Sequence, residues 1–129
     1  MNLLGIDLGT KKIGLSLGSS LSGQTRPLEL LSYLSDQFVL EQLKKICLEW
    51  RVQKIIVGDP GSFENNKAIN AFLERFENII LVKIKIPFER WSEQGTSQEA
   101  QSLMNEYPLH SRDSIAAMLM LSSYLRSHL

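Results

Sequence analysis

The chain has 129 residues, of which 43% are hydrophobic and 22% charged, and its 14 basic side chains are balanced by 14 acidic ones. That length supports a single domain over 1–129 with a real core and excludes two, while the composition is that of an ordinary globular protein. The balanced charge excludes a global field drawing the chain onto nucleic acid or membrane, so any nucleic-acid contact has to come from a local basic patch.

The lone Cys47 excludes an internal disulfide and fits a reducing compartment. No apolar run approaches the roughly 18 residues of a membrane span, and no signal peptide is read, since the first strand starts at once and is interrupted by Asp7. A cytoplasmic protein without a membrane partner is the expectation.

Met1 to Gly18 reads as a hairpin, with apolar runs Leu3–Leu8 and Ile13–Gly18 flanking Gly9-Thr10-Lys11-Lys12. Strand alternation puts Leu4, Ile6 and Leu8 on one face and Asp7 with Gly5 on the other. A carboxylate inside so apolar a run is costly to bury without a cation or hydrogen bonds. Two readings of Asp7 stand: a metal ligand, or a frayed strand end bonded to the Gly9-Thr10 turn.

Ser19 to Arg26 is a polar turn, and Pro27 to Tyr33 a third short strand opened by proline. Ser35 or Asp36 caps a helix from about Asp36 to Trp50, with Val39, Leu43, Ile46, Cys47 and Trp50 at helical spacing. On that face Cys47 is expected to be a buried, inert thiol. Lys54 to Gly58 is a buried strand ended by Asp59-Pro60-Gly61.

A second amphipathic helix runs over Asn65 to Asn78, with Ile69, Phe72, Leu73 and Phe76 on one stripe. Ile79 to Ile86 is the next expected strand, stopped by Pro87. Phe88 to Gly95 is expected as a loop in which Trp91 is a packing anchor. Thr96 with Glu99 forms a capping box for a short helix burying Ala100, Leu103 and Met104. Ser111 caps the last helix, Arg112 to about Ser127, with Ile115, Met118, Leu119, Ser122 and Leu125 on one face. Three antiparallel strands followed by alternating helices and strands predict an α/β fold, a mixed five-stranded sheet with helices on both faces.

Four acids fall at strand ends or helix starts: Asp7, Asp59, Glu89 and Asp113. Each has an ordinary explanation: Asp59 as a turn residue before proline, Glu89 as half of a solvated pair with Arg90, Asp113 as a dipole-favoured helix start. If the strands are neighbours, the carboxylates converge. Such a cluster suits magnesium, a hard ion held by a few carboxylates plus water and phosphate oxygens. A pair of such ions about 4 Å apart hydrolyses phosphodiesters without a protein nucleophile. His110 and His128 offer neither a Ser-His-Asp arrangement nor zinc-ligand spacing.

The segments Gly5-Ile6-Asp7-Leu8-Gly9-Thr10-Lys11-Lys12-Ile13-Gly14, Leu21-Ser22-Gly23-Gln24-Thr25-Arg26-Pro27-Leu28, Ile56-Val57-Gly58-Asp59-Pro60, Glu89-Arg90 and Asp113-Ser114-Ile115-Ala116-Ala117 resemble the YqgF/RuvX family over nearly the whole chain. These are bacterial nucleases with an RNase H-like fold, regarded as Holliday junction resolvases or as enzymes maturing the 5′ end of pre-16S ribosomal RNA. The resemblance implies a metal-dependent endonuclease in which Asp7, Glu89 and Asp113 bind Mg2+ or Mn2+. Lys11, Lys12, Arg90 and Arg112 would lie near substrate phosphates. Nucleic acid, either pre-rRNA or branched DNA, is the implied partner, and a monomer or weak homodimer the implied state.

The chain departs from the family pattern in four respects. Phe88-Glu89-Arg90 stands where the family commonly reads Asp-Glu-Arg, the loop after Glu89 is longer, the loop after the fourth strand is shortened and lacks the usual Asn-rich pattern at Ser62 to Asn66, and Asp59 occupies a usually apolar position. Asp59 is therefore a candidate substitute ligand. Two competing readings remain at this level: a nucleic-acid or ribosome-binding module that has lost catalysis, and a nucleotide site, since Asp-Leu-Gly-Thr also resembles the phosphate hairpin of sugar kinases and actin-like ATPases. The latter needs a second domain that 129 residues do not supply.

Overall fold

Apolar alternation in the first eighteen residues does produce a hairpin. A computed structural model of the chain describes residues 1–59, 67–92, 106–108 and 110–128. In it β1 (Asn2–Leu8) pairs antiparallel with β2 (Lys12–Ser19) from Asn2 opposite Ser19 to Leu8 opposite Ile13. Leu4 and Ile6 are wholly buried on one face, each stabilising the fold by about 1.5–3 kcal/mol. Leu3, Gly5 and Asp7 face the other way.

The single third strand expected over Pro27 to Tyr33 is instead two pieces, β3 (Thr25–Pro27) and β4 (Leu31–Ser32), both paired with β2. Ser16 opposes Pro27 and Ile13 opposes Leu31, which leaves one residue too many for a continuous ladder. The extra residue interrupts pairing as a bulge does. The sheet therefore has six strands among the described residues where five were expected.

Helix α1 (Asp36–Glu49) is capped by Ser35, whose hydroxyl accepts from Phe38 N at 3.0 Å. It buries Val39, Leu40, Leu43 and Cys47, and burial pushes the Cys47 thiol up to about 11, as expected of an inert side chain. β5 (Val52–Gly58) then runs parallel to β1.

The strand expected over Ile79 to Ile86 does not form. Helix α2 (Lys67–Phe76) continues through a π-helical turn (Glu77–Leu81) into α3 (Val82–Ile84). Leu73, Phe76, Ile80 and Leu81 are all buried, a three-to-four-residue stripe that a period-two reading of the β-branched side chains conceals. The π turn absorbs one residue so that the apolar stripe stays on the sheet. Lys85, left-handed at φ 63°, ends the helix.

The strand lies later, in the stretch read as a loop. β6 (Phe88–Trp91) pairs parallel with β5, Ile56 opposing Glu89 and Gly58 opposing Trp91. Four alternating residues with a charge pair in the middle carry little strand signal. They become a strand because β5 offers an open edge. The Thr96–Glu99 capping box and its helix, like Pro60-Gly61 and Asn65, lie outside the described residues.

Helix α4 (Arg112–His128) begins as expected, with Ser114 N donating to the Ser111 hydroxyl at 3.1 Å. It buries Met120 and Tyr124 beyond the face read from periodicity. The sheet order is β3-β2-β1-β5-β6, with β4 also on β2. α1, α2 and the turns after it cover the face carrying Leu4, Ile6, Ile55 and Val57. α4 covers the opposite face, that of Leu3, Ile56 and Asp7. Among the described residues no helix is long and apolar enough to cross a membrane.

Candidate active site

Asp7 sits where β1 runs out, opposite Gly14 of β2. Cross-strand partners project to the same face, so the missing side chain of Gly14 leaves open the space beside the Asp7 carboxylate. The start of α4 fills it. A Cβ on Gly14 would lie 2.1 Å from the Asp113 carbonyl oxygen and 2.9 Å from Ser114 N, so only glycine lets the helix backbone rest there. The contact repeats one turn on, where a Cβ on Gly5 would come within 3.1 Å of the Ala117 carbonyl oxygen. Two glycines on one sheet face, one in each strand of the hairpin, thus seat α4 and deliver Asp113 to Asp7.

The electrostatics record that neighbourhood. Burial first, and then the charge of Asp113, raise the Asp7 carboxyl from 3.8 to about 6. Like charges crowding a partly buried site are what a cation relieves. Asp7, Leu8, Gly9, Thr10, Lys11, Lys12 and Asp113 line a cleft of about 410 Å3. Its floor is acidic and its rim carries two exposed lysines. The rim is held by the hairpin turn, with Tyr33 N donating to the Lys11 carbonyl at 2.7 Å. Arg112 is exposed beside Asp113 at the first turn of α4.

Glu89 is placed elsewhere. It lies on the same sheet face as Asp7 but level with Gly5, two strands across, a Cα separation of about 12 Å by strand spacing and rise. Its Oε1 takes a 2.6 Å ion pair from the Lys54 ammonium and a hydrogen bond from the Tyr124 hydroxyl, and Lys54 also donates to Tyr124 at 2.7 Å. Those contacts, Lys54 first, hold the Glu89 carboxyl below its usual range. Tyr124 lies eleven residues along α4 from Asp113, about 16 Å of helix axis. Among the described residues no group of three His, Cys, Asp or Glu is disposed to hold one ion.

The two arginines expected near phosphate diverge. Arg90 lies on the opposite sheet face, where its Nε donates to both carboxylate oxygens of Glu77, at 3.2 and 3.1 Å, and its second terminal nitrogen donates to Oε1 at 2.7 Å. Asp59 adds to the field holding the Arg90 charge, and its backbone N donates to the Trp91 carbonyl at 2.9 Å. Phe88 packs into the larger core on that same face. An acid at position 88 would therefore not have faced Asp7, and Phe88 removes nothing from the cleft. Trp91 is a packing anchor, though on a strand: its indole donates to Ser123 at 3.0 Å and meets Tyr124 and His128 edge-on.

Sequence reasoning passed over Lys54, Tyr124 and Glu77. Lys54 had a signal, since in β5 it shares a face with Ile56 and interrupts an apolar run as Asp7 does in β1. Glu77 had none, because it lay at the end of a helix expected to stop there.

A family model described as RuvX, Holliday junction resolvase, matches residues 1–127. The chain belongs to the RuvX family. A Bordetella parapertussis relative named "Putative pre-16S rRNA nuclease" is 32% identical over 124 residues, covering 95% of this chain and 92% of its own. A Listeria monocytogenes relative of the same name is 25% identical, covering 97% of each. Among solved structures, T. thermophilus RuvC in complex with a Holliday junction substrate superimposes with a TM-score of 0.71 at 14% identity, covering 99% of this chain and 96% of that one. A Fowlpox virus resolvase in complex with Holliday junction DNA gives 0.65 at 10% identity, covering 100% and 99%. At such identities the structural likeness shows the fold alone, and the fold is the RNase H-like one the sequence resemblance implied. Membership makes this RuvX-family chain a nuclease, as expected.

Proposed function

We propose that the chain is a divalent-metal-dependent endonuclease acting on structured nucleic acid, with the 5′ end of pre-16S rRNA as its substrate. The observation that carries the reading is the meeting of Asp7 and Asp113 in a cleft rimmed by Lys11 and Lys12. Two hard carboxylate donors suit Mg2+ or Mn2+, which complete their coordination with water and phosphate oxygens. When bound, such an ion lowers the pKa of its water and offsets the charge that develops on the phosphorus oxygens.

The protein's own residues do the rest. Asp7 and Asp113 would hold the ion, while Lys11, Lys12 and the adjacent Arg112 attract and align the phosphate backbone. Asp7 must be ionised to serve, and in the metal-free protein burial and the charge of Asp113 hold its carboxyl above the ordinary range. Glu89, implied by the family pattern to be a third donor, is paired instead with Lys54 and Tyr124. Arg90 faces away, paired with Glu77, and Asp59 adds to the field holding its charge. The names carried by the relatives favour ribosomal RNA, and the Holliday junction complexes of the structural neighbours make branched DNA the alternative.

The test is cleavage of precursor 16S rRNA and of a four-way DNA junction with Mg2+ or Mn2+, with Asp7→Asn as control. RNA cleavage that needs the metal and falls by about 1,000-fold in the control, the few kcal/mol a metal site contributes, supports the reading. Junction cleavage alone moves the substrate to DNA. Binding of either nucleic acid without product returns the chain to a binding module, a reading favoured by the engagement of Glu89.

A further inference from the structure

We propose that Lys54 is a positioning residue that supplies Glu89 with the positive charge a second metal ion would otherwise supply, so that the nucleic-acid-free protein binds one divalent ion, at Asp7 and Asp113. The inference rests on the metal reading above and goes beyond it, because it assigns a number of ions and a residue that sets the number.

Three observations carry it. Glu89 is on the cleft's side of the sheet and its side chain is 40% exposed, so solvent and ions reach it. Its separation from Asp7, about 12 Å between Cα atoms by strand geometry, suits two carboxylates serving two ions about 4 Å apart better than a single shared ion. Yet its Oε1 already holds both an ammonium and a phenol hydroxyl, and Lys54 itself is anchored on the same phenol. An ammonium bonded to both the carboxylate and the phenol is held beside Glu89. A dication approaching Glu89 meets a like charge already bonded to its Oε1.

Mn2+ binding without nucleic acid tests this, by calorimetry and by the electron paramagnetic resonance signal of free Mn2+. Wild type is expected to bind one equivalent, and Glu89→Gln to bind it with unchanged affinity. Lys54→Met is expected to bind a second equivalent, lost again when Glu89→Gln is added, and Lys54→Arg to behave as wild type. A wild type that binds two ions, a Glu89→Gln variant that loses affinity, or a Lys54→Met variant with one equivalent overturns the proposal. The Glu89→Gln arm decides even if Lys54→Met fails to fold. Asp7→Asn separates the two claims: if it binds Mn2+ like wild type, the assigned metal site is wrong and not merely the role of Lys54.

Discussion

Asp7 links stability to pH in a direction opposite to most carboxylates. Its folded pKa of about 6 lies above the ordinary 3.8, so the folded protein holds that proton more tightly than the unfolded chain. The resulting stability is fully present below about pH 3.8 and is lost as pH rises through about 6. Two pKa units correspond to roughly 3 kcal/mol at most. In metal-free protein, Asp7→Asn should therefore be more stable than wild type at pH 8 by about 1–3 kcal/mol while abolishing metal binding, a pair of effects read by denaturant titration and calorimetry. A variant equally stable at pH 8 would mean Asp7 is not crowded. Mn2+ must displace the same proton, so its affinity should climb about tenfold per pH unit up to pH 6 and level off above.

Gly14 matters as much as either acid. Gly14→Ala pushes a methyl group into the Asp113 carbonyl, and overpacking of this kind costs about 1–3 kcal/mol. Because the clash is at the base of α4, Asp113 moves too. Lost stability should come with at least a tenfold loss of Mn2+ affinity. Full affinity in a destabilised variant would show that the seating of the helix and the geometry of the site are independent.

At the scale of elements, the segment 67–84 is held on the sheet by Glu77 as well as by its apolar stripe. Glu77 is 9% exposed and both of its oxygens take bonds from Arg90, which ties the π turn to β6. Glu77→Ala leaves a guanidinium partly buried without its partner. Since Arg90 is itself about a third exposed, the loss is about 1–3 kcal/mol rather than that of a fully buried pair. Lys85 ends the same segment with φ 63°. Lys85→Gly removes the left-handed penalty at some entropic cost, for a net gain of about 0.5 kcal/mol in thermal or denaturant unfolding.

These two elements are also where reading by residue pattern failed, and for one reason. Ile79, Ile80, Leu81, Val82, Ile84 and Ile86 look like a strand by residue type, while Phe88-Glu89-Arg90-Trp91 look like a loop. What decides is the partner each segment meets. The first lies against the face of β5 and needs a helical stripe, whereas the second lies at its edge and needs only backbone donors and acceptors. β1, β2, α1 and α4 were legible because their periodicity and their caps at Ser35 and Ser111 are local.

Taken whole, the molecule has no net charge to pull nucleic acid toward it. On the proposed reading, attraction comes from Lys11, Lys12 and Arg112 around one cleft. If these make two or three phosphate contacts, binding should weaken with salt at a log–log slope of about −2 to −3, and the Lys11→Ala/Lys12→Ala pair should reduce that slope by about 2. A slope unaffected by the double substitution would put the nucleic-acid path on another surface.

The local order of residues was enough to establish an α/β fold, its opening hairpin, the family, and Asp7 as an anomalous charge in an apolar strand, because each of these depends on neighbours a few positions apart. Which carboxylates meet was decided by register and helix docking. Asp113 reaches Asp7 because Gly14 has no side chain, and Glu89 turns to Lys54 and Tyr124 because parallel pairing sets it one step back along the sheet. Long-range pairing and close backbone contact leave no periodic trace in the chain, so only the folded molecule reveals them.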